Sequence, residues 1–115
     1  MYEYRARLLK RVDADTLRLE VDQGLDCTIR LTVRLAGIDA PEMSTEEGRQ
    51  AAAFVDAWLQ EHAPDGIVLL RTVKDRKEKY GRYLGVVFPL SLLDGAMVPD
   101  LATVLLATGH ARPYP

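Results

Sequence analysis

Alternating apolar and polar residues predict β-strands in the first third of the chain. Residues 15–21 place an apolar side chain at every second position, and residues 28–35 repeat this alternation. A period of two is typical of a strand with one face on a core and the other in water. Residues 4–12 also indicate a strand, and the acidic segment 13–15 (DAD) predicts a tight turn between the first two strands.

Between residues 44 and 62 the apolar positions change to a helical period. Ser44, with Glu47 three residues later, has the form of a capping box, so we expect a helix to begin near Thr45. The spacing gives this helix one apolar stripe for docking on the sheet, formed by Ala51, Phe54, Val55, Trp58 and Leu59. The helix-breaking segment 64–66 (PDG) ends it.

The second half of the chain adds two strands and a short helix. Apolar runs at 67–73 and 83–88 predict strands, and the charged segment 74–82 predicts the loop between them. An apolar stripe at 101–109, closed by a glycine, predicts a second helix. Five strands with a helix after the third are typical of a small closed barrel. We therefore predict one mainly β, α+β domain over 1–115, built on a small closed five-stranded barrel with a helix after the third strand and a short second helix.

The composition is that of a globular chain with a slight acidic excess. The 115 residues include 15 Lys and Arg against 17 Asp and Glu, which gives a formal net charge of -2 and a pI near 5.6. Nucleic-acid-binding proteins are usually basic, because neutralising phosphate supplies much of their affinity, so the total charge argues against one. The segment 74–82 nevertheless holds five basic residues against two acidic ones, which predicts a local positive patch.

The sequence contains neither a recognisable membrane span nor a recognisable leader. No apolar run approaches the length needed to cross a bilayer, and the first residues lack the basic and apolar regions of a secretory signal. We therefore expect a cytoplasmic protein, or a secreted one if a leader has been removed.

Cys27 is the single cysteine and has no zinc-site spacing around it, so we expect a small filler in or near a strand.

Acidic residues lie at strand ends in two separate places. Asp13 and Asp15 belong to the first turn, and Asp39 and Glu42 follow the third strand. If both turns lie at the same end of the barrel, their oxygen atoms form the kind of site that hard divalent cations bind. Aspartates that hydrogen-bond their own backbone in turns give the same pattern, and spacing alone favours this alternative.

Two arginines accompany these carboxylates. Arg34 lies on the polar face of the third strand, and Arg82 ends the charged segment 74–82. A guanidinium group grips phosphate through parallel hydrogen bonds and stays charged at physiological pH. Either arginine alone is best interpreted as a solvated surface charge. Beside a carboxylate cluster, the pair suits phosphodiester cleavage, because the transition state of that reaction gains negative charge.

Three segments of the chain resemble the signature segments of the staphylococcal nuclease (thermonuclease) family: 12–16 (VDADT), 33–42 (VRLAGIDAPE) and 79–82 (KYGR). Their order and separation fit that family from residue 4 to about residue 110, with the predicted helix between the second and third segments. The resemblance implies an oligonucleotide-binding barrel that hydrolyses DNA and RNA with Ca²⁺, has little sequence specificity and leaves 3′-phosphate ends.

The resemblance also implies a role for each matching residue. Asp15 and Asp39 would bind Ca²⁺, assisted by the backbone carbonyl of Ala40. Asp13 would lie close to the metal without binding it directly. Glu42 would act as the general base or orient the attacking water.

The remaining matches correspond to the phosphate and the nucleotide. Arg34 would contact the scissile phosphate and stabilise the transition state, and Arg82 would do the same while favouring departure of the leaving oxygen. Lys79 and Tyr80 would lie around the bound nucleotide. Tyr114 is a further candidate for the wall of the substrate site.

The chain departs from the family pattern in two respects. Ala14 stands where the family usually has glycine, and it would strain the turn if that position needs a positive φ. The acidic total charge predicts weaker attraction to long polymers than that of strongly basic relatives.

The main alternative is a catalytically weak or inactive module on the same barrel that binds nucleic acid or protein. We expect a monomer without membrane association, because no apolar stripe remains once both helices dock.

Overall fold

The strands predicted from alternation close into one barrel in a computed structural model, which describes residues 2–77 and 82–114, with the backbone alone for 73–77. Five strands form the barrel: β1 (Tyr2–Asp13), β2 (Thr16–Gly24), β3 (Cys27–Leu35), β5 (Ile67–Lys77) and β6 (Tyr83–Pro89). Two short strands, β4 (Ile38–Asp39) and β7 (Arg112–Pro113), form a separate antiparallel pair.

Each barrel strand pairs with a neighbour on both sides. β1 is antiparallel to β2 and to β5, β2 is antiparallel to β3, and β5 is antiparallel to β6, while β3 and β6 run parallel. The closed order therefore leaves no barrel strand as a free edge, which removes the hazard of edge-to-edge aggregation. With two helices added, this confirms the closed α+β barrel that the strand pattern predicts, and it is consistent with the oligonucleotide-binding (OB) type of barrel that the resemblance implies.

The barrel interior is filled by the apolar residues of the alternating pattern. Those that are completely or almost completely buried are Leu17, Leu19, Val21, Val33, Leu35, Val68, Leu70 and Val87. Burying one such side chain contributes about 1.5–3 kcal/mol. A one-residue slip of any strand would turn these groups outward, so the alternation also sets the register between strands.

Helix α1 (Glu46–His62) is capped by Thr45, whose Oγ1 accepts a hydrogen bond from the Gly48 amide at 3.0 Å. The capping box predicted at Ser44 and Glu47 was wrong, because Thr45 is the capping residue and its hydroxyl accepts from the free amide of the third helical residue, which is a glycine. The apolar stripe is confirmed: Ala51, Val55, Trp58 and Leu59 are buried, and Phe54 is partly buried.

A bidentate ion pair fastens α1 to β1. The Nε and Nη2 atoms of Arg11 donate to the two carboxylate oxygens of Asp56 at 2.9 and 3.0 Å. This hydrogen bonding raises the pKa of Arg11 above its ordinary value, so the guanidinium keeps its charge throughout the physiological range.

Helix α2 (Leu101–Ala107) follows a 3-10 turn at Leu90–Asp94 and confirms the second predicted helix. The carboxylate of Asp100 caps it by accepting a hydrogen bond from the Thr103 amide at 3.3 Å. Leu101 and Leu105 are completely buried and belong to the same core as the barrel interior. Neither α1 nor α2 combines the length and the apolar character that crossing a membrane would require.

Two predictions about individual segments were wrong. β5 continues to Lys77 instead of giving way to a loop at residue 74, because backbone pairing with β6 does not require apolar side chains. Cys27 is exposed and fills no gap, because residues 22–30 at the end of the β2–β3 hairpin are all exposed.

Replacing Leu105 by alanine should lower the free energy of unfolding by about 2–5 kcal/mol, because it removes a completely buried side chain from the shared core. The neighbouring Leu106 is 37% exposed, so Leu106→Ala is the matched control and should cost less than about 1 kcal/mol. Urea unfolding followed by circular dichroism measures both. Equal losses would mean that α2 does not pack into the barrel core.

Candidate active site

Most of the residues that the sequence singles out line one open cleft of about 300 Å³. The cleft brings together four carboxylates, two guanidinium groups and the segment that follows β4. Its lining residues are Asp13, Asp15, Arg34, Asp39, Ala40, Pro41, Glu42, Met43 and Arg82. The tertiary structure therefore brings both acidic turns to the same cleft, the condition on which the sequence argument for a cation site depends.

Strand register brings the first turn next to Arg34. Asp13 at the end of β1 pairs with Thr16 at the start of β2, and Thr16 pairs with Arg34 near the end of β3. A backbone hydrogen bond from the Leu35 amide to the Asp15 carbonyl, at 2.8 Å, ties the turn to the same strand. Asp13, Thr16 and Arg34 are thus neighbours because the β1–β2 and β2–β3 pairings place them in one row across the sheet. A shift of either pairing by one residue would separate them.

The carboxylate of Asp15 is buried and hydrogen-bonded at both oxygens. Its Oδ1 accepts from the Thr16 hydroxyl at 3.0 Å, and its Oδ2 accepts from the backbone amide of Ala40 at 3.1 Å. Only 8% of the residue is exposed. A buried carboxylate without such partners would be costly, so these two bonds hold the turn against the segment after β4.

Arg34 is buried between two carboxylates and an aromatic ring. Its Nη2 lies 3.3 Å from Asp39 Oδ1 and 3.7 Å from Asp15 Oδ2. Its Cζ lies 4.8 Å from the centre of the Tyr114 ring. With 9% of the residue exposed, Arg34 is not the solvated charge that its sequence position alone suggests. Its orientation is set by contacts on several sides.

Tyr114 reaches Arg34 because the second sheet carries the chain end back to the cleft. β4 pairs with β7, and the Tyr114 amide then donates to the Gly37 carbonyl at 3.0 Å. Gly37 has a φ of 81°, a left-handed conformation that turns the chain from β3 into β4. The cation–π contact with Arg34 contributes about 0.5–2 kcal/mol.

Glu42 is exposed in the cleft, while its backbone is held firmly. Its carbonyl oxygen accepts hydrogen bonds from the amide and the hydroxyl of Thr45, at 3.0 and 2.7 Å. Gly48, on the first turn of α1, packs directly against this carbonyl, because a Cβ built there would lie only 1.8 Å from the Glu42 oxygen. The absence of a side chain at position 48 therefore allows α1 to support Glu42.

Ala14 does not strain the first turn. Among the described residues other than glycine, positive φ values occur only at Leu25 and Asp26, in the β2–β3 hairpin. Ala14 is 1% exposed and belongs to the hydrophobic core. The turn therefore accepts a β-carbon, and Asp15 keeps its two hydrogen bonds.

The cleft offers some of the oxygen ligands that a hard divalent cation needs. Asp15 and Asp39 both lie within 4 Å of the same Arg34 nitrogen, and Ala40 is hydrogen-bonded to Asp15. These groups offer oxygen ligands only, and each carboxylate oxygen retains accepting capacity beyond its present contacts. Within the described residues, no three acidic, histidine or cysteine side chains form a metal-binding cluster. A cation here would thus rely on two carboxylates, backbone carbonyl oxygen and water.

The sequence prediction was incomplete at the rim of the cleft. Arg112 Nη2 lies 3.9 Å from Asp39 Oδ2, and the Thr16 hydroxyl holds Asp15, yet neither residue was predicted to take part. Only the pairing of β4 with β7 brings Arg112 to the site, and no local pattern reports that pairing. Lys79 and Tyr80, predicted to lie around the nucleotide, fall outside the described residues.

Comparison of the chain with protein-family models and with curated protein sequences finds no match. What bears on function is therefore the geometry of the cleft together with the resemblance of the three sequence segments.

Replacing Gly48 by alanine should reduce both stability and any activity that depends on Glu42. Alanine normally favours a helix over glycine by about 1 kcal/mol, whereas here its Cβ would collide with the Glu42 carbonyl and displace it. Urea unfolding should show a loss of stability instead of that gain. The control is Gln50→Ala, an exposed position on the same helix, which should leave stability within about 0.5 kcal/mol. A more stable Gly48→Ala protein would contradict the close packing.

Proposed function

We propose that the chain is a phosphodiesterase that hydrolyses DNA or RNA with Ca²⁺ and little base specificity. The observation that carries this proposal is the buried guanidinium of Arg34, held between two carboxylates at the wall of a cleft that also contains Glu42 and Arg82. An ion pair that served only to stabilise the fold would not require Arg82 and the exposed carboxylate of Glu42 in the same cleft. The resemblance of the three sequence segments to the staphylococcal nuclease family points to the same chemistry.

Arg34 suits the stabilisation of a phosphorane-like transition state. Hydrolysis of a phosphodiester adds negative charge to the phosphate oxygens as water attacks. A guanidinium group that is already oriented by Asp15, Asp39 and Tyr114 loses little entropy when it binds those oxygens. Its charge is worth more in a partly dehydrated cleft than in bulk water. Losing such a contact typically costs about 100- to 1,000-fold in rate.

The charge balance of the cleft supports a requirement for a cation. Four carboxylates face two guanidinium groups, which leaves an excess of negative charge where a phosphate would have to bind. In the proposed site Asp15, Asp39 and the Ala40 carbonyl would hold Ca²⁺. When bound, Ca²⁺ would supply positive charge beside the phosphate and lower the barrier to attack by water.

Glu42 is the proposed general base. Its exposed carboxylate can accept a proton from a water molecule as the water oxygen bonds to phosphorus. The bond from phosphorus to the 5′ oxygen then breaks, and the departing oxygen takes a proton from solvent water. This leaves a 3′-phosphate on one product and a 5′-hydroxyl on the other. Arg82, which also lines the cleft, would stabilise the charge that develops on the departing oxygen.

Replacing Glu42 by glutamine should reduce cleavage of single-stranded DNA and RNA by about 100-fold or more, because glutamine cannot accept the proton. The assay follows release of labelled fragments at low salt and mildly alkaline pH, with Ca²⁺ or with EDTA. Glu47→Gln is the matched control, since Glu47 is an exposed glutamate on the first turn of α1. It should cleave like the unmodified protein.

The same assay separates the proposed enzyme from a binding module. Cleavage that disappears in EDTA and in Glu42→Gln supports the phosphodiesterase. A folded protein that binds the strand and does not cleave it with Ca²⁺, Mg²⁺ or Mn²⁺ would instead be a nucleic-acid-binding module.

Adding Ca²⁺ should raise the melting temperature, because a ligand that binds only the folded state stabilises it, by about 2.7 kcal/mol at 100 times its dissociation constant. Asp39→Asn should abolish most of this shift, since it removes one of the two candidate carboxylate ligands. Asp65→Asn, in the exposed turn after α1, should preserve it. A shift of the same size in Asp39→Asn would rule out this cleft as the cation site, whatever the outcome of the cleavage assay.

A further inference from the structure

The outer surface of β1, β2 and β3 carries a concentration of positive charge. We name this surface the outer basic face and define it by its five exposed cations, Arg5, Arg7, Lys10, Arg18 and Arg30. Besides the cleft residues, three carboxylates accompany them on the same surface, those of Glu3, Glu20 and Asp22. Glu3 is paired with Arg71 of β5, and Glu20 is paired with Arg30. In a chain with a formal net charge of -2, this local excess has to be balanced by acidic residues elsewhere.

Strand register leads from the cleft onto this face in successive rows. The cleft row contains Asp13, Thr16 and Arg34, paired across the three strands. The next row, two residues along β2 and β3 and thus roughly 6.8 Å away, contains Lys10, Arg18 and Thr32.

A third row carries a smaller positive excess. It contains Arg7, Glu20 and Arg30, again paired across the three strands. The Glu20 carboxylate lies 3.5 Å from Arg30 Nε, so Arg7 supplies the net charge of this row. Arg30 and Arg34 lie on the same side of β3, because residues at even spacing share one face of a strand. The outer basic face is therefore continuous with the wall of the cleft.

The row beside the cleft contains a pairing that folding alone does not favour. Lys10 and Arg18 lie directly opposite each other on antiparallel strands, and like charges in that position are destabilising. In the part of the chain that the structure describes, neither has a carboxylate within ion-pair distance, and Arg18 donates only to the Thr32 hydroxyl at 3.4 Å. An anionic ligand that lies across both side chains would relieve this repulsion.

We propose that the outer basic face binds the phosphate backbone of the nucleic-acid strand that extends from the cleft. This inference rests on the proposed function, which identifies the substrate in the cleft as a phosphodiester. Continuity of the rows with Arg34 favours a polynucleotide over an unrelated anionic partner, because one strand can occupy the cleft and the face together. The face also supplies the attraction to long polymers that an acidic protein otherwise lacks.

The test compares binding of a long single strand and a trinucleotide by fluorescence anisotropy in EDTA, which prevents cleavage. Arg18→Gln and Lys10→Gln should each weaken binding of the long strand. The expected loss is roughly eightfold per charge at about 50 mM salt, since each phosphate contact on a single strand contributes about 0.7 to the salt slope. The slope should fall by about that amount in each variant. The ratio of long-strand to trinucleotide affinity should fall with it.

Arg49→Gln is the matched control, because it removes the same charge from an exposed position on α1 that is paired with Glu46. It should leave the affinity for the long strand and the salt slope unchanged. Melting temperatures of all three variants show that they are folded. If Arg18→Gln and Lys10→Gln bind the long strand as Arg49→Gln does, the proposal is overturned.

Two further outcomes separate this inference from its alternatives. In one, the unmodified protein does not cleave nucleic acid, yet Arg18→Gln and Lys10→Gln selectively lose binding of the long strand. This result would support binding by the outer basic face and refute the proposed phosphodiesterase. Vesicles of phosphatidylserine and phosphatidylcholine serve as a second probe. If they bind more tightly than the long strand and the two variants abolish that binding, the face recognises anionic lipid and the nucleic-acid assignment is overturned.

Discussion

The burial of Arg34 between Asp15 and Asp39 is the interaction on which the cleft depends. A guanidinium that is almost fully buried is tolerable only where carboxylates compensate it, and a buried carboxylate is tolerable only where hydrogen bonds satisfy it. These requirements join the β1–β2 turn, the end of β3 and the segment after β4 into one unit. Tyr114 closes this unit by stacking on Arg34. The cluster thus links distant parts of the chain around charges that an apolar core would have excluded.

Such a cluster is an inefficient way to stabilise a fold. Apolar side chains of the same volume are often as stable as a buried ion pair, or more so. The barrel interior already supplies the hydrophobic stabilisation, because its strands bury apolar side chains completely or almost completely. The charges at the end of the barrel are therefore better explained by chemistry in the cleft than by stability. The same reasoning applies to Gly48, which gives up helix propensity so that α1 can approach the Glu42 backbone.

The distribution of charge also reconciles an acidic protein with the anionic substrate that we propose. Net charge governs long-range attraction, whereas binding depends on the potential along the surface that the ligand touches. In the proposed function the carboxylates of the cleft would hold a cation, and the outer basic face carries positive side chains at the next rows of the sheet. Attraction of a polymer and stabilisation of its transition state are thereby assigned to different groups, and the two can vary independently.

The residue pattern predicts the five barrel strands, the two helices and most of the chemical groups of the cleft. Alternation in 15–21 and 28–35 predicts β2 and β3 because burial of one sheet face is a local, periodic constraint, and the segments around Asp15, Asp39 and Glu42 identify the acidic turns. The tertiary structure alone decided that Arg34 is buried, that Thr45 caps α1, and that Arg112 and Tyr114 come to the cleft. Those contacts join residues far apart in the chain or depend on a particular hydroxyl orientation, and neither leaves a periodic trace in the sequence.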